Sequence, residues 1–223
     1  MTFSLVARDP ATGLFGLAIS SSSPAVAARC AHARAGIGAA ASQNVTDPRL
    51  GPRALDLMER GATAAEAAAI LSRGTHMPFR HRLLVARDGP PAILTGARAL
   101  GTTGEAAGVH AAAAGNLLAH GGVPAAMLAA FEAAPGHLGD RLLVALEAGR
   151  DAGGEAGPVR SAGLLLVQDQ PWPLADLRVD WDEGDPVARL AAAWTVYRPQ
   201  MASYVQRALD PEAAPSYGVP GDP

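Results

Sequence analysis

Lysine is absent from this sequence of 223 residues, in which all 18 basic residues are arginines. A lysine that forms a Schiff base with a substrate or with pyridoxal phosphate, or that contacts phosphate in a P-loop, is therefore excluded. Arginine cannot replace lysine as a general base, because its guanidinium group stays protonated.

Cysteine and aromatic residues are also scarce. Cys30 is the one cysteine, so an intrachain disulfide and a cysteine-rich metal site are both excluded. The six histidines show no metal-ligand spacing, and we therefore expect neither a metal ion nor a cofactor. Aromatic residues make up only 4% of the chain, so alanine and glycine supply much of the packing and allow close approach between elements.

The charge pattern argues against two classes of partner. The net charge is −3, the isoelectric point is near 6.0, and no basic run or tail occurs. We therefore expect neither nucleic acid nor a membrane surface as a partner. The expected partner is a small-molecule substrate, in keeping with the candidate reactive group considered below. A basic segment followed by an apolar one is not found at the start of the sequence, which predicts a soluble, cytoplasmic protein.

The sequence begins with a predicted hairpin around the turn "DPATG", which joins strands at residues 2–8 and 14–20. Proline and glycine are typical of such turns. A five-residue loop would pair Thr2 with Ser20. Because side chains alternate along a strand, Thr2, Ser4 and Ser20 would then share one small, polar face.

Hairpins dominate the predicted order of elements, and βαβ alternation does not. "GIGAAASQ" (residues 36–43) is a predicted third strand, and "LVARD" recurs in a second hairpin. "LVARD" and "GLLLV" are apolar on both faces, so their sheets should be covered on both sides. The pattern predicts an α+β domain over residues 1–209, with two stacked antiparallel sheets and helices outside. The proline- and glycine-rich tail, residues 210–223, is predicted to be disordered.

Thr2 is the leading candidate for a reactive group. Aminopeptidases remove an initiator methionine when the next side chain is small, and Thr2 would then carry a free α-amine beside its own hydroxyl. An α-amine has a pKa of roughly 8 and can accept the hydroxyl proton near neutral pH. An ordinary strand threonine is the alternative interpretation.

Several ordered blocks resemble a known family. They are "TFSLVARDPATGLFGLAISSSSPAVAA", "ARAGIGAAASQN", "DPRLGPRALDLMERGATAAEAAAIL", "GNLLA" and "SAGLLLV". Over roughly residues 2–190 the chain resembles a bacterial and archaeal family of unknown function with an N-terminal nucleophile (Ntn) hydrolase-like fold. The resemblance implies a four-layer α/β/β/α sandwich and cleavage of an amide bond by Thr2.

The resemblance also suggests a role for Arg34. In proteasome-like members, a lysine on the strand after the hairpin lowers the pKa of the nucleophile, and Arg34 stands at about that place. Arginine supplies positive charge but cannot shuttle a proton, so binding of a substrate carboxylate suits Arg34 better. Glu155 and Arg160 stand where the family has aspartate and glutamine, which argues against a shared polar site in that segment.

Further candidates lie at the ends of predicted strands. A backbone N–H near Gly115, the amide of Asn116, or the Ser20–Ser23 loop could stabilise an oxyanion. The remaining predicted substrate-binding residues, for each of which an ordinary strand or turn role is the alternative, are Ser4, Ser20, Gln43 and Asn44.

Two other functions stay open from the sequence. The protein could have kept the fold and lost the chemistry, acting as a binding or assembly module, or its nucleophile could lie within Ser20–Ser23.

A homo-oligomer, most simply a dimer, is predicted because several large apolar residues fall in a hairpin, a loop or a late helix. These residues are Leu14, Phe15, Trp172, Trp181 and Trp194.

Overall fold

Strands and helices are described for residues 1–221 in a computed structural model of the chain. The strands are β1 (Thr2–Asp9), β2 (Leu14–Ser21), β3 (Ala31–Arg34), β4 (Gly38–Asn44), β5 (Arg80–Ala86), β6 (Ala92–Thr95), β7 (Gly104–Ala107), β8 (Ala111–Asn116), β9 (Ser161–Val167) and β10 (Ala175–Val179). The helices are α1 (Val26–Cys30), α2 (Leu50–Glu59), α3 (Ala64–Leu71), α4 (Val123–Ala133), α5 (Leu138–Asp151), α6 (Pro186–Tyr197) and α7 (Met201–Leu209). Short 3₁₀ turns cover Met77–Phe79 and Arg198–Gln200.

Within the described residues, the strands form two antiparallel sheets. The six-stranded sheet has the order β10-β9-β2-β1-β8-β7, and the four-stranded sheet has the order β3-β4-β5-β6. All the strand pairs in both sheets are antiparallel. The prediction of an α+β protein with two antiparallel sheets is therefore confirmed.

Three apolar clusters hold the layers together. One lies between the sheets and includes Val6, Leu17 and Leu83. A second packs α4, α5 and α6 against the outer face of the larger sheet, and a third packs α2 and α3 against the smaller sheet. Burial of apolar surface on both faces explains why the central strands read as nearly continuous apolar runs.

The register of the first hairpin differs from the prediction by one residue. Asp9 pairs with Leu14, so the loop has four residues, and Phe3 rather than Thr2 lies opposite Ser20. The Asp9 carboxylate also accepts a hydrogen bond from the backbone N–H of Ala11 at 3.1 Å, which tightens the turn. Asp9 therefore acts as the last strand residue as well as a turn residue.

A shift of one residue moves a side chain to the other face of a strand, and this applies to Ser20. Thr2 and Ser4 face the space between the sheets, whereas Ser20 lies on the helix-covered face. The Ser20 hydroxyl donates to the Ser161 carbonyl at 3.0 Å. Thr2 and Ser4 therefore share a face as predicted, whereas the placement of Ser20 on that face is wrong.

The predicted third strand also begins two residues late. It runs over Gly38–Asn44 and pairs with a short strand, Ala31–Arg34, that the sequence pattern did not predict. A side chain at Gly38 would approach the Val85 carbonyl oxygen of the neighbouring strand to 2.2 Å. Glycine is therefore required where the strand enters the sheet.

Three of the residues that suggested a dimer are buried within the chain. Leu14, Phe15 and Trp194 are 3–4% exposed, and the Trp194 indole donates to Asp140 at 2.8 Å. Trp172 and Trp181 are 38% and 53% exposed. The dimer stays a prediction, and its support from exposed apolar groups is reduced to these two tryptophans.

The C-terminal segment and the helices bear on two further predictions. Residues 210–221 form no helix or strand, but Arg207 donates to the Pro215 and Ser216 carbonyls, so this segment contacts α7. The last two residues of the tail predicted to be disordered, 222–223, lie outside the described residues. No helix in the described part of the chain has the length and apolar character needed to span a bilayer.

Candidate functional site

Three strand ends meet around the start of the chain. β1 begins at Thr2, β2 returns antiparallel and ends at Ser21, and β8 ends at Asn116, directly opposite Thr2. Thr2 is 5% exposed. Its hydroxyl donates to the Met1 carbonyl and lies 3.4 Å from the Ser21 hydroxyl, which donates to the same carbonyl.

A buried carboxyl group, that of Glu155, completes this cluster. The segment after α5 turns at Gly154, and Ala156 then donates to the Leu117 carbonyl at 2.9 Å, which ties the segment to the end of β8. This places the Glu155 carboxylate where it accepts from the backbone N–H of Ser22 at 3.0 and 3.2 Å. Glu155 is only 4% exposed.

Burial raises the pKa of Glu155 to about 7. The positive charge of the α-amine and the hydrogen bonds from Ser22 act in the opposite direction and lower this pKa. A carboxyl group with such a pKa changes charge near neutral pH, unlike an exposed glutamate. The site therefore has a titratable group close to the first residue of the chain.

Asn116 is held in one orientation by Asn44. The Asn44 side chain donates to the Phe79 carbonyl at 2.5 Å and accepts from the backbone N–H of Leu100 at 3.2 Å, which fixes its oxygen. That oxygen accepts from the Asn116 amide nitrogen at 3.1 Å. The Asn116 oxygen consequently faces away and has no partner among residues 1–221, although the side chain is fully buried.

Ser4 and Gln43 link the two sheets. The Ser4 hydroxyl donates to the Gln43 side-chain oxygen at 2.8 Å, and the Gln43 amide donates to the Ala114 carbonyl at 3.3 Å. Both side chains are fully buried. Gly115 is backed by Leu118, which a Cβ on the glycine would approach to 2.5 Å. These three residues lie beside the cluster at Thr2, and their contacts are those of structural residues that join or pack the sheets.

Arg34 lies at the other end of the sheets. It pairs with Gly38, whereas Asn44 at the Thr2 end is six residues further along β4, roughly 20 Å away at the usual rise of a strand. The Arg34 guanidinium donates to Asp56 at 2.9 Å and to Glu59 at 2.6 Å. The structure therefore does not bring Arg34 to the start of β1.

Two residues of the cluster were missed or misjudged from the sequence. Ser21 was named only within the Ser20–Ser23 alternative, and Glu155 was taken as an argument against a polar site. Glu155 is 133 residues from its partner Ser22, so no local spacing could have joined them. The paired glycines before Glu155 are a turn signal that could have placed a lone acidic residue at the end of α5.

A cavity of about 310 Å³ lies next to Glu155. Its wall includes Arg150, Gly157 and Asp185, and the Arg150 guanidinium donates to the Asp185 carboxylate at 2.8 Å. The methyl carbon of Met1 lies 3.8 Å from the position that a Cβ would take on Gly157. Among residues 1–221, no group of three or more His, Cys, Asp or Glu residues is arranged to hold a metal ion.

Comparisons with known proteins identify the family. The fold and site define an α+β protein with two antiparallel sheets and a buried hydroxyl–carboxyl cluster at the start of its first strand. A family model matches residues 2–190, and the chain belongs to this family, DUF1028, which is a family of unknown function.

Solved structures agree with this assignment. The crystal structure of protein SPO2555 from Silicibacter pomeroyi, a DUF1028 protein, is 26% identical, with a TM-score of 0.83 over 92% of this chain and 90% of that chain. Anbu (ancestral beta-subunit) from Yersinia bercovieri is 12% identical, with a TM-score of 0.40 over 92% and 97% of the two chains. None of the curated proteins searched matches the chain.

Proposed function

We propose that this protein is an Ntn-type hydrolase that cleaves an amide bond in a small molecule, with Thr2 as nucleophile after removal of Met1. The observation that carries the proposal is that the Thr2 and Ser21 hydroxyls both donate to the first peptide carbonyl, while the buried Glu155 carboxyl accepts from the backbone N–H of the adjacent Ser22. Perturbed, buried titratable groups beside a nucleophile are typical of catalytic sites.

In this proposal the base is the α-amine of Thr2. The hydroxyl oxygen attacks the amide carbonyl carbon, and its proton passes to the neutral α-amine. The protonated α-amine then donates that proton to the leaving nitrogen as the carbon–nitrogen bond breaks. Water hydrolyses the resulting ester by the reverse proton path. No step requires Arg34, which lies elsewhere.

Among the oxyanion donors suggested by the sequence, we favour the Ser20–Ser23 segment, through the Ser21 hydroxyl, over Asn116. The Ser21 hydroxyl donates to the Met1 carbonyl, so it is free to donate to a substrate carbonyl once Met1 is gone. The atom of Asn116 that lacks a partner is an acceptor, which cannot stabilise an oxyanion. The ionised Glu155 carboxylate would hold a positive charge beside the reacting groups.

The experiment is covalent capture by a β-lactone, read by intact mass and by peptide mapping. The wild-type protein should first show the loss of one methionine and then gain one lactone mass on Thr2. Thr2→Ala should abolish capture, and Thr2→Ser should retain part of it. Thr195, an exposed threonine on α6, is the matched control, and Thr195→Ala should be captured at the wild-type rate. Capture of Thr2→Ala at an unchanged rate would refute the proposal.

A catalytically silent binding or assembly module is the second candidate. The observation that favours it is the burial of Thr2 while Met1 is in place. This function predicts that the purified protein retains Met1 and that no amide or lactone reacts at Thr2. Intact mass therefore separates the two candidates before any substrate is known.

A further inference from the structure

Met1 is held in the way that a site holds a bound aminoacyl group. Its carbonyl accepts hydrogen bonds from the hydroxyls of Thr2 and Ser21. Its side chain ends with its methyl group near Gly157, which lines the cavity beside Glu155. The Glu155 carboxylate, which accepts from the backbone N–H of Ser22 next to Ser21, is the acidic group whose charge the α-amine of Met1 influences. The carbonyl of Met1 thus has two hydrogen-bond donors, its methyl group lies beside Gly157, and Glu155 is the acidic group available for its α-amine.

The position of Met1 is informative because of the geometry of threonine. An acyl group on the threonine nitrogen and one on the hydroxyl oxygen interconvert through a five-membered ring, so the two positions are close in space. The Met1 acyl group is on the nitrogen, and the acyl group of a Thr2 ester intermediate would be on the neighbouring oxygen. The volume that Met1 fills is therefore close to the volume that the acyl group of a substrate must fill.

We infer that removal of Met1 leaves a subsite for α-aminoacyl groups, and that the substrates are amides of α-amino acids with a free α-amine and an unbranched side chain. This inference rests on the proposed function. Glu155 binds the ammonium group, Ser21 binds the carbonyl oxygen, and the side chain passes Gly157 into the cavity. Glycine at position 157 leaves this passage open.

The reaction at this subsite balances without any further reactant than water. Thr2 forms an ester with the aminoacyl group, and the amide nitrogen leaves with the hydroxyl proton as ammonia or an amine. Water then cleaves the ester, which releases the free amino acid and restores the Thr2 hydroxyl. The protein would thus act as an amidase or aminopeptidase on small substrates.

Three length-matched probes test the subsite: methioninamide, N-acetylmethioninamide and 4-(methylthio)butanamide. The second lacks the positive charge, and the third lacks the α-nitrogen. Binding is measured by calorimetry to Met1-free Thr2→Ala, and hydrolysis by ammonia release from Met1-free wild type. If cells leave Met1 in place, a methionine aminopeptidase removes it first. We expect methioninamide to bind, and to be hydrolysed, at least tenfold better than either of the others.

Two variants locate the contacts. Glu155→Gln should raise the KM for methioninamide about tenfold and leave the weak binding of 4-(methylthio)butanamide unchanged. Gly157→Val should raise the KM for methioninamide several-fold but not the KM for alaninamide, whose side chain is too short to reach position 157. The backbone at Gly157 is compatible with a side chain, and a Cβ there would meet only the Met1 methyl group within 4 Å.

The outcomes separate the inference from the function. If Thr2-dependent hydrolysis occurs but the three probes bind equally, or the acetylated probe binds best, the subsite is wrong and the hydrolase stands. If Thr2→Ala prefers methioninamide but wild type hydrolyses nothing, the subsite stands and the hydrolase is wrong. Equal binding together with no hydrolysis would overturn both.

Discussion

Buried polar groups lie near both ends of β1, but they differ in whether they have hydrogen-bond partners. At the far end, Arg8 is 8% exposed, and its guanidinium donates to the carbonyls of Ala86 and Arg87 at 2.8 and 2.7 Å and to His110 at 3.2 Å. At the Thr2 end, the Asn116 oxygen and both ring nitrogens of His81 have no partner among residues 1–221. The buried polar group at one end of β1 therefore has hydrogen-bond partners, whereas buried polar atoms around the other end lack them.

The difference separates a polar group whose hydrogen bonds are made within the protein from polar groups that lack a partner among the described residues. A buried donor or acceptor without a partner costs roughly 1–3 kcal/mol, so it lowers stability unless water or a ligand contacts it. Arg8 binds the end of β5 in the other sheet, and its guanidinium already has three hydrogen-bond partners. Unsatisfied groups beside Thr2 are the feature expected of a site that awaits a ligand or a processing step.

Arg8→Met should have the largest effect on stability. It removes the charged donor and leaves the buried Ala86 carbonyl and the partly buried Arg87 carbonyl without this partner. We expect the free energy of unfolding to fall by about 3 to 4 kcal/mol, measured by urea denaturation. Arg53→Met, at an exposed arginine of α2, is the control and should change it by less than about 0.5 kcal/mol. Equal effects of the two would remove the contrast between the ends.

Glu155→Gln should stabilise the protein above neutral pH. The pKa of Glu155 is raised from 4.5 to about 7 in the folded state, so ionisation opposes folding increasingly as pH rises through this range. The full cost, present above pH 7, is on the order of 3 kcal/mol. The variant should therefore unfold at higher urea than wild type at pH 8 and at similar urea at pH 4.

His81→Leu should stabilise by a smaller amount at pH 7, about 1 to 2 kcal/mol, because it removes two buried nitrogens without partners. Burial, and to a lesser extent the charge of Arg82, lowers the pKa of His81 from 6.5 to about 4. In wild type, this histidine makes stability fall as pH drops from 6.5 to 4, so the advantage of the variant should grow on acidification. The measurement is urea denaturation at pH 7 and pH 5.

The pH effects of Glu155 and His81 oppose each other over the same range. The slope of wild-type stability against pH between 4.5 and 6.5 should therefore lie between the slopes of the two variants. Relative to wild type, Glu155→Gln should make the slope more positive and His81→Leu should make it more negative. Two variants with the same slope would show that one of these groups titrates normally.

The fold was largely predictable because its signals are local. Turn residues between strands and two-sided apolar runs indicated paired antiparallel sheets under helices, and both sheets are present. The register of the first hairpin was not predictable in this way. The side chain of Asp9 accepts a hydrogen bond within the turn, whereas its backbone pairs with Leu14 as part of the strand. A single such residue moved Ser20 to the other face.

The site was predictable only where position in the chain identifies a residue. Thr2 is a candidate because of its place after Met1, and its catalytic role stays a prediction. Glu155 was missed because its partner is 133 residues away and its high pKa comes from burial, which only the tertiary structure creates. Arg34 was placed by analogy with another strand position, and its true neighbours come from α2.

Arg34→Ala should therefore have the smallest effect. The guanidinium lies between Asp56 and Glu59, with about a third of its side chain exposed and both carboxylates more than half exposed, so the ion pairs are screened by water. We expect a loss of about 0.5 to 1 kcal/mol in unfolding free energy, reduced further by salt. Capture of Thr2 by the β-lactone should proceed within twofold of the wild-type rate, since Arg34 is at the opposite end of the sheets. A tenfold slower capture without loss of folding would return Arg34 to the catalytic role that the sequence suggested.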